Sequence, residues 1–336
     1  MADSGRLVRV GAVDCGTNSI RLLVADVDRE TGAVTDVLRR MEIVRLGYGV
    51  DRTGRIDPEA MERTLAVSRE YAGQCASLGA EAVRFAATSA SRDAANAAEF
   101  VVGVRKAFAG FGTTPEVITG DEEAALSFRG ATGDVVAAGI DGPYLVVDLG
   151  GGSTEFVRGT GSVEAGRSVD IGCVRMTERH LHSDPPTEDE IAAASLDVDA
   201  AVSEALDAVP ADGVRTLVGL AGSVTTVTAQ AWSLPYYDPR RIHLAVTPVS
   251  RMRAAARELL GMTRAHRAAL PFMHPGRVDV IGAGALVWDV VIREVAERSG
   301  RGDQLTVVSS EHDILDGLAL SLSRARLLAP GEPVWL

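Results

Sequence analysis

One short phrase is written twice in this chain. Residues Val13-Asp14-Cys15-Gly16-Thr17-Asn18-Ser19 recur as Val147-Asp148-Leu149-Gly150-Gly151-Gly152-Ser153. The shared frame is an apolar run, Asp, x, Gly, x, x, Ser, and then a second strand-like run. Small residues in such a turn let backbone N–H groups approach phosphate oxygens, and successive N–H groups form an anion nest. An Asp at the strand end can hold Mg²⁺, directly or through its waters. Two copies in register point to a duplicated scaffold with a cleft between its halves, and to phosphoryl chemistry.

Length and charge narrow the reading. At 336 residues the chain suits two domains, on a scale of about 100–200 residues each. The net charge of −12 argues against a nucleic-acid or membrane-surface partner, which would want a basic face. It leaves room for an anionic substrate at a local cluster. Lys106 is the only lysine, on a solvated helix face. A Gly-x-x-x-x-Gly-Lys phosphate loop and a kinase-type strand lysine are therefore excluded. Cys15, Cys75 and Cys173 are far apart and lack metal spacing, which reads as reduced thiols of a cytoplasmic protein. The first residues do not read as a signal peptide. The longest apolar stretch, 278–292, is interrupted by Asp279 and Asp289, so no membrane span of about 18–20 residues is expected.

Strand and helix signals alternate along both halves, which is the pattern of an α/β fold. Strands are expected over 6–14, 20–27, 33–46, 81–88 and 115–118, with helices over 57–78, 96–109 and 122–130. The second half opens after a Gly/Asp-rich connection at 134–143, with a hairpin at 144–148 and 154–158. Helices follow over 187–209, 249–260, 283–298 and 314–328, with strands at 215–220 and 305–308. The expected division is a first domain over 1–132 and a second over 133–336.

Chemistry-bearing residues cluster at the turns. Thr17, Ser19, Ser153 and Thr154 add hydroxyl donors to the two loops, and Asp14 and Asp148 are candidate metal ligands. Gly150-Gly151-Gly152 is the more specific copy, because three glycines between core strands weaken a sheet unless a backbone must approach closely. Glu155, two residues beyond Ser153, could hold metal-bound water; the plain alternative is a solvent-facing strand residue. Asp121-Glu122-Glu123 opens a helix. Helix capping explains the first of these, while neighbouring carboxylates near a bound phosphate resist ionisation and suit a general base. Arg92 follows a strand end; its fork matches a phosphate, although alone it reads as a helix-start surface arginine. Gly222-Ser223 is another strand-to-helix turn, weak by itself. His180-Leu181-His182 reads as surface, and Glu311-His312-Asp313 as a loop and helix cap.

With these residues in hand, the chain resembles the exopolyphosphatase and guanosine pentaphosphate phosphohydrolase family. The likeness runs from Val10 to about Leu322, through 14–19, 87–96, 120–124, 148–155, 172–178, 221–223, 277–281 and 316–317. It implies two duplicated actin-like (ribonuclease H-like, sugar-kinase-like) α/β domains, with the last helix packing back on the first. It implies Glu123 as the catalytic base, and Asp148, Gly150 and Glu155 at metal, water and phosphate positions. Arg92 matches a phosphate-contacting arginine, and Asn18 to Arg21 match the first phosphate loop. Mg²⁺, a homodimer, and polyphosphate or guanosine pentaphosphate as substrate are expected on the same ground. Longer relatives carry a further helical region that this chain does not show, so shorter polyphosphates are expected. An actin-like ATPase or sugar kinase, and a non-enzymatic polyphosphate or alarmone sensor, are the rival readings. Water as acceptor beside Glu122-Glu123 opposes the kinase, and the intact Asp148/Glu155/Glu123 set opposes the sensor.

Overall fold

The computed structural model describes residues 6–325. Contacts divide the chain into two compact units: the described residues up to Thr119 together with those from Ile314 onward, and Gly120–Asp313.

In the first unit, β1 (Leu7–Cys15), β2 (Ser19–Asp28), β3 (Val34–Ile43), β4 (Ala82–Ala87) and β5 (Glu116–Val117) form one sheet in the order β3-β2-β1-β4-β5. The first three strands pair antiparallel, and β4 and β5 join in parallel. Val13, Ile20, Leu22, Phe85, Phe100 and Phe108 are buried together beneath the sheet. The helix Pro58–Ser77 starts as the sequence requires: Asp57 accepts from the Glu59 and Ala60 N–H groups, and proline fills the first turn. The last described helix, Ile314–Ala325, packs on β1, β2 and β4. Arg39 anchors it by donating to both oxygens of the buried Asp316, at 2.6 and 3.2 Å.

The second unit repeats the plan. Its strands are β6 (Tyr144–Leu149), β7 (Thr154–Gly159), β8 (Val163–Val169), β9 (Thr216–Leu220), β10 (Ala245–Thr247) and β11 (Thr306–Ser309), in the order β10-β11-β9-β6-β7-β8. The run β8-β7-β6-β9-β11 reproduces β3-β2-β1-β4-β5, with the same parallel and antiparallel pairings. β10 is added on the outer edge, antiparallel to β11. The chain is thus an α/β protein built on a duplicated, actin-like plan. The helix Ile281–Arg298 buries Trp288 against Gly219 of β9, where an added Cβ would lie 2.5 Å from the indole ring.

Three local features differ from expectation. The helix begun by Gly120 continues to Ala137 instead of ending near Gly130. Gly130 is buried within it, so packing overrides the low helix propensity of glycine. Its face of Ala124, Phe128, Ala131 and Val135 packs with Tyr144, Val146 and Val157 of β6 and β7, which places the whole helix in the second unit instead of dividing the chain at 132/133. β8 had no hydrophobic alternation to reveal it, because only Val169 of the strand is buried. No helix among the described residues is long and apolar enough to cross a membrane.

Gly219→Ala tests the packing of the second sheet. The added methyl meets Trp288 and Val224 inside 3 Å, and overpacking of this kind costs about 1–3 kcal/mol. A urea titration should show a lowered midpoint with an unchanged slope.

Candidate active site

The three-glycine loop is oriented by what takes its carbonyls. Cys173 N–H donates to Gly150 O, Val174 and Arg175 N–H donate to Gly151 O, and the Arg175 guanidinium donates to Gly152 O at 2.8 Å. These donors are the first turn of the helix Cys173–His180, whose N–H groups have no partners within their own helix. In a planar trans peptide the N–H points opposite to the C=O. With three successive carbonyls committed to one side, the N–H groups of Gly151, Gly152 and Ser153 face the other. That is the concave array an anion needs. Gly172 permits the approach: a Cβ there would sit 2.4 Å from the Gly151 carbonyl.

The first unit contains the same device. Gly16 N–H bonds to Ser19 O at 2.9 Å, as Gly150 N–H does to Ser153 O at 3.0 Å. Thr17 O accepts from Gly47 N–H, and Asn18 O accepts from Val44 and Arg45 N–H. Arg45 holds a φ of 51° to deliver that bond, a conformation uncommon outside glycine. A Cβ on Gly47 would lie 2.3 Å from the Thr17 side chain. Gly47 and Gly172 are therefore counterparts, each just past the third strand of its unit.

Behind the loops the two copies diverge. Asp14 stands opposite Arg21 across β1 and β2, and Asp148 stands opposite Glu155 across β6 and β7. In the first unit Arg21 donates to Asp14 Oδ2 at 2.7 and 3.0 Å. The guanidinium supplies there the positive charge that a metal on Asp14 would bring. In the second unit the paired residues carry the same charge. Asp148, Glu155 and Glu123 are all buried, Glu155 to 1% exposure. Burial, then the negative charges of Glu123 and Asp148, push the Glu155 carboxyl well above the usual carboxylate range; the hydroxyls of Ser168 and Ser153 offset part of this. Its Oε2 is buried without a hydrogen-bond partner.

Serines fix the other carboxylate oxygens. Ser127 Oγ donates to Asp148 Oδ2 at 2.6 Å, and Ser168 Oγ donates to Glu155 Oε1 at 2.7 Å. The helix Gly120–Ala137 brings in Glu123 and Ser127 one turn apart, hence on one face. An orphaned buried oxygen within an all-oxygen donor set suits a hard cation such as Mg²⁺, with Asp148 and Glu155 as the residues that could hold it.

At the end of β9, Ala221 adopts a φ of 68°, and the helix Ala221–Ala231 starts there. The Arg277 guanidinium lies against Gly222, where a Cβ would be 2.4 Å from its Cζ, and donates to Thr226 Oγ1 at 3.2 Å. Ser223 packs against Gly284 on the other side. Arg92, at the end of the helix Ser89–Asp93, donates to Ile118 O at 3.0 Å in the first unit. The expected site residues thus form one set per unit. Asp14, Thr17, Asn18, Ser19, Arg21 and Arg92 belong to the first. Glu123, Asp148, Gly150, Gly151, Gly152, Ser153, Glu155, Gly222 and Ser223 belong to the second.

The sequence and the fold both match known proteins. The Ppx/GppA phosphatase family matches residues 23–321. The chain belongs to that family. Exopolyphosphatase 2 of Mycobacterium tuberculosis is 53% identical over 321 residues, 94% of this chain and 99% of that protein. A solved exopolyphosphatase-like protein is 43% identical at a TM-score of 0.90, covering 96% of this chain and all of its own. The Aquifex aeolicus member of the Ppx/GppA family is 29% identical at a TM-score of 0.77, covering 96% of this chain and 100% of its own.

Four features of this candidate site were not read from the sequence, and two of them, Ser127 and the Gly47/Gly172 pair, had a local signal. Ser127 lies four residues after Glu123, the spacing of one helix face. Ser168 is the direct cross-strand partner of Glu155, invisible until β8 is placed. Gly47 and Gly172 close Arg45-Leu46-Gly47 and Asp170-Ile171-Gly172, a second repeat after the third strand. Arg277 sits in a stretch that resembles the family, but only the fold brings it to Gly222.

The Glu155 carboxyl gives a pH test. A folded value raised above the unfolded one, about 4.3, leaves stability intact below that pH. Stability is then lost as pH rises through the raised value. Without added metal, the wild-type Tm should fall from pH 5 to 8 relative to Glu155→Gln, which has no such proton to lose. Parallel pH profiles for the two proteins would contradict this.

Proposed function

We propose that the chain is an exopolyphosphatase. It removes the terminal phosphate of inorganic polyphosphate as orthophosphate, with Mg²⁺ as cofactor. One observation carries the reading: the unpartnered Oε2 of Glu155, buried beside Asp148 and Glu123 behind the loop Gly150–Gly152. The 53% identity to a protein named Exopolyphosphatase 2 supports polyphosphate as the substrate.

The N–H groups of Gly151, Gly152 and Ser153 receive oxygens of the terminal phosphate and stabilise the charge that builds there. Glu123 orients a water and takes its proton as the water oxygen bonds to the terminal phosphorus. The bridging P–O bond breaks, and its electron pair leaves with the shortened chain. Ser127 and Ser168 keep the Asp148 and Glu155 carboxylates in place through the cycle. Mg²⁺ held by Asp148 and Glu155 would neutralise phosphate charge and polarise the phosphoryl group. Gly222 and Ser223, at a helix start braced by Arg277, form a further anion-binding turn. In the first unit, Thr17, Asn18, Ser19 and Arg92 form an anion-binding set of their own. Arg21 acts there through Asp14.

The family resemblance read from the sequence also implies guanosine pentaphosphate, which is the second substrate to try. A homodimeric, cytoplasmic enzyme without nucleic-acid or membrane partners completes the reading. The experiment is phosphate release with Mg²⁺ from short polyphosphate, long polyphosphate and guanosine pentaphosphate, side by side. Short polyphosphate should be the best substrate, and no release from any polyphosphate would overturn the assignment. Glu123→Gln should lower kcat by about 10²–10⁴-fold with KM little changed; near-normal turnover would remove Glu123 from the role of base. Ser127→Ala should cost about 10–100-fold, the usual effect of removing a partner that positions a ligand.

A further inference from the structure

A second cluster of ligating side chains lies in the second unit, apart from the carboxylates described above. Asp134, His243 and His312 each present one ligand atom, and these atoms all fall within 4.8 Å of one another. They come from three separate segments. Asp134 is in the last turn of the helix Gly120–Ala137, His243 follows the short helix Pro239–Ile242, and His312 follows β11. One oxygen, Asp134 Oδ2, lies 2.5 Å from His312 Nδ1 and 3.4 Å from His243 Nε2. The two rings are stacked at a tilt, centroids 4.5 Å apart. All three side chains are partly exposed, so the cluster is open to solvent.

We propose that Asp134, His243 and His312 bind a divalent transition metal of the zinc class. Two imidazoles and one carboxylate suit Zn²⁺ and its neighbours and not Mg²⁺, which prefers oxygen. Three protein ligands leave a fourth tetrahedral position to water. Bonds of about 2.0–2.1 Å place tetrahedral ligand atoms about 3.3 Å apart. The Asp134–His243 separation of 3.4 Å already meets this. The Asp134–His312 pair must open by less than 1 Å from 2.5 Å, exchanging a shared proton for the ion. His243 Nδ1 now accepts from the Glu311 N–H at 3.3 Å. Binding at Nε2 moves the ring proton to Nδ1 and gives up that contact.

Such an ion would clip the end of the helix that carries Glu123 and Ser127 to the loops bearing His243 and His312. It would be structural, and distinct in chemistry and ligands from the Mg²⁺ of the proposed reaction. His312 read from the sequence as part of a loop and helix cap; its partners are distant in the chain.

The test is calorimetric titration of the chelator-stripped full chain with Zn²⁺ alone. One equivalent should bind to the wild type. His312→Ala and Asp134→Asn should each weaken binding by about tenfold or more, while Glu155→Gln leaves it unchanged. Zn²⁺ should also raise the wild-type Tm and leave that of His312→Ala where it was; this readout stands even where a variant is less stable. Absence of Zn²⁺ binding, or binding lost in Glu155→Gln and kept in His312→Ala, would overturn the proposal.

Discussion

The second unit is organised around an electrostatic deficit. Glu155 is buried beside Asp148 and Glu123, with an oxygen that no protein group satisfies. A buried carboxylate without compensation shifts toward its neutral form or acquires a cation. The surroundings are built to keep the three groups there. β7 and β8 fix Glu155 through Ser168, and the helix Gly120–Ala137 fixes Asp148 through Ser127. Relaxing any of these contacts would let the carboxylates separate and would ease the deficit.

Duplication explains how one scaffold supports such a centre. Both units carry the same strand order, the same loop turn and the same glycine past the third strand. In the first, the position opposite the aspartate is Arg21, and the charge is settled within the protein. In the second it is Glu155, so like charge faces like charge and the Glu155 carboxyl is pushed up. One residue at one register position thus separates a copy neutralised by Arg21 from a copy in which carboxyl faces carboxyl. The backbone nests in front of them remain alike.

Most of this was legible in the sequence because it lies in local signals. The two Asp-x-Gly-x-x-Ser turns and the helix start at Asp57 appear where the residues imply them. The α/β class follows from alternation, and the family from ordered motifs. The rest depends on contacts between distant segments. β8 is an edge strand of mainly exposed residues, so no periodicity marks it, and Ser168 stays hidden with it. The helix Gly120–Ala137 outlasts its glycines because β6 and β7 bury its face. Arg277 and His312 acquire meaning only from what the fold sets against them.

Burial and the charges of Glu123 and Asp148 raise the Glu155 carboxyl, so a cation bound there should displace its proton. Proton release on Mg²⁺ binding measures this directly, by calorimetry in buffers of different ionisation enthalpy near neutral pH. The wild type should release protons and Glu155→Gln should release none. Mg²⁺ binding to the wild type with no proton release would contradict it.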